Sequence, residues 1–184
     1  IDTGDPEAEP DPDGTRADMG AIYFHQEEDE FPHRFDVPDE YETIQAAIEE
    51  AEDGDIVLVA PGEYIENIDF LGKEITVTSH IFFDNNSDFI EQTIIDGNEE
   101  SCVVVFRNLE GRNSVLRGFT IQNGVQNYGG GIDCQHGTSP LLCDLIVTQN
   151  EARFHGGGIY CTGRCNPLIE RTLINRNHAD CGGG

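Results

Sequence analysis

The sequence predicts an all-β chain wound as a right-handed parallel β-helix, a solenoid with coils of about 27 residues and an N-terminal capping α-helix. Three observations predict it. Asn123, Asn150 and Asn177 recur at intervals of 27, as do Ile132 and Ile159, Cys134 and Cys161, and Pro140 and Pro167. The block Gly129-Gly130-Gly131-Ile132-Asp133-Cys134 returns as Gly156-Gly157-Gly158-Ile159-Tyr160-Cys161, and a third triple glycine begins at Gly182. Between these marks lie short β-branched runs divided by turns, with no ten-residue stretch of helical periodicity. A unit this short and glycine-rich cannot build a core alone. Stacked on copies of itself, it pairs every strand and buries a thin inward row.

Residues 1–24 are rich in turn chemistry and read as the closing segment of a preceding domain. Within them Glu9, Asp11 and Asp13 imitate the start of a calcium loop, but the acid that would complete an EF-hand is replaced by Gly20, so an acidic turn is the simpler reading. Residues 25–36 are acidic, interrupted by Pro32, and read as a linker. The β-helix is expected over 37–184. In 39–53, Ile44, Ala47, Ile48 and Ala51 mark one apolar stripe, with Asp39 and Glu42 spaced as a capping box and Gly54 placed to end the helix. Such a helix would cover the open end of a sheet stack. Strands are predicted at Ile56–Ala60, Ile75–Thr78, Thr93–Ile95, Val103–Phe106, Ser114–Leu116 and Phe119–Ile121, interrupted by a loop around Asn85-Asn86-Ser87. The chain opens at Ile1 and stops inside a glycine motif, so it reads as a piece of a longer protein, truncated at its C-terminal end.

The charge is −26, from 36 acidic and 10 basic residues, which argues against a nucleic-acid partner or an anionic membrane. No run is long and apolar enough to span a bilayer. Six cysteines without a CxxC pair give no support to a zinc ribbon, and leave one or two disulfides open. The oligomeric state is not legible.

The runs Tyr41-Glu42-Thr43-Ile44-Gln45-Ala46-Ala47-Ile48, Asp53-Gly54-Asp55-Ile56-Val57-Leu58-Val59-Ala60-Pro61-Gly62-Glu63-Tyr64, Glu66-Asn67-Ile68, Gly72-Lys73 and Ile94-Ile95-Asp96-Gly97 resemble the start of pectin-lyase-like right-handed β-helix proteins. The glycine and asparagine repeats resemble the coils that follow in that superfamily. The resemblance implies the fold; it does not imply one activity, because lyases, hydrolases, adhesins and plain scaffolds share it.

Alternation along the strands places Asp133 and Tyr160 outward, and subtracting one period adds Phe106 to the row. Phe106, Asp133 and Tyr160 are read either as ordinary strand surface or as a strip that holds a sugar ring between aromatic faces and a carboxylate. Arg117, Asp144 and Arg171 form a second row, read as an ion-pair ladder. Asn123, Asn150 and Asn177 are read as an amide ladder at a bend that tolerates left-handed backbone. No pair of acids suited to glycoside hydrolysis stands out, and His136, His155 and His178 share no row. The expected function is a non-catalytic module of a secreted or surface protein, binding extracellular polysaccharide or serving as a stalk or adhesin. The alternative is a calcium-dependent, pectate-lyase-like enzyme, and calcium is the one cofactor left open.

Overall fold

A computed structural model describes residues 32–182. The closing segment at 1–24, the calcium-like acids Glu9, Asp11 and Asp13, and residues 25–31 of the linker lie outside the described residues. Residues 32–182 form a parallel β-solenoid of about four coils. The described residues open with β1 (Arg34–Val37) and α1 (Ile44–Glu50), followed by a first coil of β2 (Ile56–Val59), β3 (Gly62–Ile65) and β4 (Ile68–Asp69). The second coil is β5 (Thr76–Ser79), the short helices α2 (Ile81–Asp84) and α3 (Asp88–Gln92), β6 (Thr93–Asp96) and β7 (Val104–Phe106). Next come β8 (Val115–Arg117), β9 (Thr120–Gln122), β10 (Val125–Tyr128) and β11 (Ile132–Cys134). The fourth coil is β12 (Leu141–Cys143), β13 (Ile146–Thr148), β14 (Glu151–His155) and β15 (Ile159–Cys161), followed by β16 (Leu168–Glu170), β17 (Leu173–Asn175) and β18 (His178–Cys181).

Stacking yields four sheets: β1-β2-β5-β8-β12-β16, β3-β6-β9-β13-β17, β4-β7-β11-β15 and β10-β14-β18, in which every pairing is parallel. Three-residue strands place only their middle residue, or only their two ends, toward the axis. In the first two sheets the middle residue points inward. Val57, Val77, Leu116 and Leu142 form one column, and Ile95, Ile121 and Val147 another, all fully buried. In the sheet of β4, β7, β11 and β15 the ends point inward instead, so that Ile68, Val104 and Ile132 stack in the core while the middle residues line the outer face.

The period is not uniform. Leu141 sits over Val115 and Ile146 over Thr120, steps of 26, whereas Ile132 sits over Val104, a step of 28. The difference lies in one corner. Eleven positions separate Val104 from Val115, but nine separate Ile132 from Leu141. The next coil restores 27 throughout the three larger sheets. In β14 and β18 a bulge sets His155 against Cys181, which is why the third triple glycine falls one residue early.

These steps correct two columns. Asn150 and Asn177 do stack: Asn177 Oδ1 accepts from both the backbone N and the Nδ2 of Asn150, each at 3.0 Å. Above them, however, stands Gly124, whose N–H donates to Asn150 Oδ1 at 2.9 Å. Asn123 lies one position aside, shares left-handed φ with Gln149 and Arg176 (56°, 57° and 53°), and donates Nδ2 to Asp96 Oδ2 at 2.7 Å. The amide ladder and the left-handed bend are thus neighbouring columns, not one.

The helix is shorter than its periodicity suggests. The turn in which Glu40 N and Tyr41 N donate to Asp36 O consumes the residues around Asp39, so the cap is Thr43, whose Oγ1 accepts from Ala46 N at 3.1 Å. Ile44, Ala47, Ile48 and Ala51 are buried as the stripe requires. The helix ends at Ala51, before Gly54, where the lone lysine, Lys73, donates Nζ to the carbonyls of Ile48, Glu49 and Ala51 at 2.8, 2.6 and 2.7 Å. Gln45 mimics a neighbouring strand: its Oε1 accepts from Asp69 N at 2.8 Å and its Nε2 donates to Asp69 O at 3.4 Å, satisfying the edge strand β4. The solenoid also begins earlier than the boundary at 37, because β1 pairs with β2 from Arg34 onward. The loop at Asn85-Asn86-Ser87 is present and links the short helices α2 and α3.

Candidate functional site

The outer face of the sheet β4-β7-β11-β15 has the row Asp69, Val105, Asp133 and Tyr160. Phe106 is not in it. With the 28-residue step, Phe106 pairs with Cys134, is fully buried, and stacks on Phe70 with ring centroids 4.4 Å apart. The longer corner after β7 therefore turns the proposed aromatic inward and removes it from any surface strip. Asp133 and Tyr160 are direct cross-strand neighbours, as the sequence suggests.

The place expected for Phe106 is taken by Tyr128, which enters from β10 on the adjoining sheet. Its ring lies 5.3 Å from that of Tyr160 and 5.8 Å from the imidazole of His155, and Phe154 is 5.4 Å away. His155 also stacks near Tyr160, at 6.4 Å and 18°. Tyr128 and Phe154 are about two-fifths exposed. The triple-glycine corners bring these rings to the sheet. A Cβ on Gly130 would lie 2.5 Å from Glu151 O, and one on Gly157 would lie 2.2 Å from His178 O, so only glycine lets successive coils pack this closely. A signal for Tyr128 and His155 was present in the sequence: they are 27 apart and each directly precedes a triple glycine.

Beside the rings is a groove of about 300 Å³, lined among others by Arg107, Gln126, Tyr128, Asp133 and Gln135. Asp133 is 6% exposed. Its Oδ2 accepts from Gln135 Nε2 at 2.5 Å, but Oδ1 has no hydrogen-bond partner. Arg107 does not supply one; its Nη2 is 2.5 Å from Asp69 Oδ2. Burial pushes the Asp133 carboxyl above the ordinary carboxylate range, against the opposing pull of Gln135, Arg107 and His136. A raised carboxyl pKa favours the protonated acid in the folded state. Its cost is therefore absent below the unfolded pKa of about 4 and appears as pH rises through the folded value. We expect Asp133→Asn to raise the thermal midpoint at pH 7 and the gain to vanish toward pH 4, measured by calorimetry across that range.

The second row holds together as an ion-pair ladder. Asp144 accepts from Arg117 Nε at 2.8 Å and from Arg171 Nε at 2.6 Å, and Arg171 first, then Arg117, holds its carboxyl below the usual range against burial. Arg117 also donates Nη2 to Asn85 Oδ1 and Arg171 donates Nη1 to Glu170 Oε2 at 3.1 Å, so both guanidiniums are engaged within the fold, which supports the structural reading of the row. All six cysteines are free. Cys134 and Cys161 are register partners, with Cys134 buried and Cys161 at the exposed rim. A thiol hydrogen bond with Cys161, reinforced by burial, keeps the proton on Cys134. His136 is in a loop, while His155 and His178 lie on strands. Among the described residues no three His, Cys, Asp or Glu side chains gather so as to hold a metal ion, and no helix is long and apolar enough to cross a membrane. Comparison with protein-family models, with curated proteins and with solved structures found no match.

Proposed function

We propose that this chain is a non-catalytic β-solenoid module of a secreted or surface protein, and that it binds a polysaccharide strand at the corner where β10 and β14 meet β11 and β15. The observation that carries the reading is a groove lined by the exposed Tyr128 ring and by Asp133, whose Oδ1 has no partner, with the half-buried Tyr160 ring packed 5.3 Å behind that of Tyr128. Sugar rings present C–H faces to aromatic surfaces and hydroxyls to carboxylates and amides. Gln126 and Gln135 supply the amides. The reading includes kinship with pectin-lyase-like proteins, supported by the coil length, the short inward-facing strands and the stacked asparagines.

Titration calorimetry against a panel of plant and bacterial oligosaccharides tests it. Tyr128→Ala and Tyr160→Ala should each weaken binding about tenfold, equivalent to about 1.4 kcal/mol, with little change in thermal midpoint. Glycan binding that ignores both substitutions would sink the groove as the site. Release of unsaturated, ultraviolet-absorbing product from polygalacturonate with calcium would overturn the non-catalytic reading.

A further inference from the structure

We infer that the groove selects neutral, hydroxyl-rich sugar units and rejects uronates, an inference that rests on the polysaccharide-binding reading above. The floor of the groove lacks a donor, not an acceptor. Asp133 is nearly fully buried and its Oδ1 has no partner. Its χ2 is a soft torsion, so a small turn of the carboxylate presents an oxygen to a group entering the groove. A sugar hydroxyl can donate to it. An ionised uronate carboxylate has only lone pairs to offer and meets like charge.

The remaining lining supports the same selection. Among the groove's lining residues Arg107 is the one cation, and its guanidinium is already paired with Asp69. Arg107, Asp69 and Asp133 together carry a net charge of −1. The other polar groups, Ser101, Gln126, Asn127 and Gln135, are neutral and both donate and accept, which suits hydroxyls that do the same. The chain as a whole, at −26, adds a repulsive field that discourages any polyanion before contact.

The test is calorimetric titration of the full chain at pH 7.5, with EDTA to remove bridging calcium, using xylohexaose, cellohexaose, mannohexaose and hexagalacturonate. At least one neutral hexamer should bind tenfold or more tightly than hexagalacturonate. Asp133→Asn should narrow that gap at least fivefold. Glu91→Gln makes the same charge change on exposed α3, which packs against β6 and β9 of another sheet, and should leave the gap unaltered. Hexagalacturonate binding as tightly as the neutral hexamers, or a gap that Asp133→Asn leaves intact or that Glu91→Gln closes equally, would overturn the selectivity while polysaccharide binding survived. If none of the four hexamers binds, the polysaccharide reading falls and the selectivity with it.

Discussion

Gly124→Ala will lower stability by about 3 kcal/mol, at the upper end of overpacking penalties, and will shift the urea midpoint down with little change in slope. Gly124 follows the left-handed Asn123 and opens β10. A Cβ added there would lie 1.9 Å from Gly130 O, 2.6 Å from Val103 Cγ2 and 2.8 Å from Gly130 C. Two of these three atoms are backbone of the triple-glycine corner, which cannot swing aside as a surface side chain would. The φ of Gly124 is not positive, so the penalty reports crowding alone. Gly137→Ala supplies the contrast. Gly137 has φ of +85°, yet its nearest neighbour to a new Cβ is 3.8 Å away, and the substitution should cost only the conformational strain, about 1 kcal/mol. Equal losses at the two sites would refute the account of the corner.

Asn150→Leu is expected to cost about 3 to 4 kcal/mol, since each orphaned buried polar group is worth about 1 to 3 kcal/mol. Asn150 is 1% exposed. Its Oδ1 accepts from Gly124 N at 2.9 Å, and its Nδ2 donates to Ile121 O and to Asn177 Oδ1, both at 3.0 Å. Leucine nearly preserves volume but strands the Gly124 N–H inside the stack and removes the side-chain donors to Ile121 O and Asn177 Oδ1. Asn150 and Gly124 share a hydrogen bond, so the double variant should lose less than the two single losses added together. Additive losses, read from urea midpoints of the four proteins, would show that the bond is not energetically shared.

The architecture was legible because a solenoid writes its period into residues that cannot be exchanged. Glycines at crowded corners, buried asparagines and inward isoleucines all recur once per coil. The predicted strands from Ile56 to Ile121 lie within one or two residues of those found, since each inward position demands an apolar residue. What the period could not disclose is where a coil lengthens. The additional residues between Phe106 and Val115 shift register on one side of the coil and leave the other short, so a fixed subtraction of 27 mistook a core phenylalanine for a surface one. The same cause moved Asn123 out of the amide column. The sequence does not disclose the role of Tyr128, because it lies just before a bend, where strand alternation no longer indicates which way a side chain points. Asp39 has the spacing of a helix cap but lies in the turn that engages Asp36 O, a backbone arrangement without a strong local spelling.

The triple-glycine corner has a further consequence for how the groove could diversify. A Cβ on Gly129 would sit 2.8 Å from that of Asp133, and one on Gly156 would sit 2.9 Å from that of Tyr160. The wall that supports the aromatic rings is thus closed to mutation from behind. New preferences can arise only from side chains at the rim, such as exposed Gln126 and Asn127, whose replacement disturbs no backbone contact between coils. Descendants of this sequence would be expected to vary at those two positions and to stay silent at the glycines, so that the history of what the groove accepts is recorded at its lip.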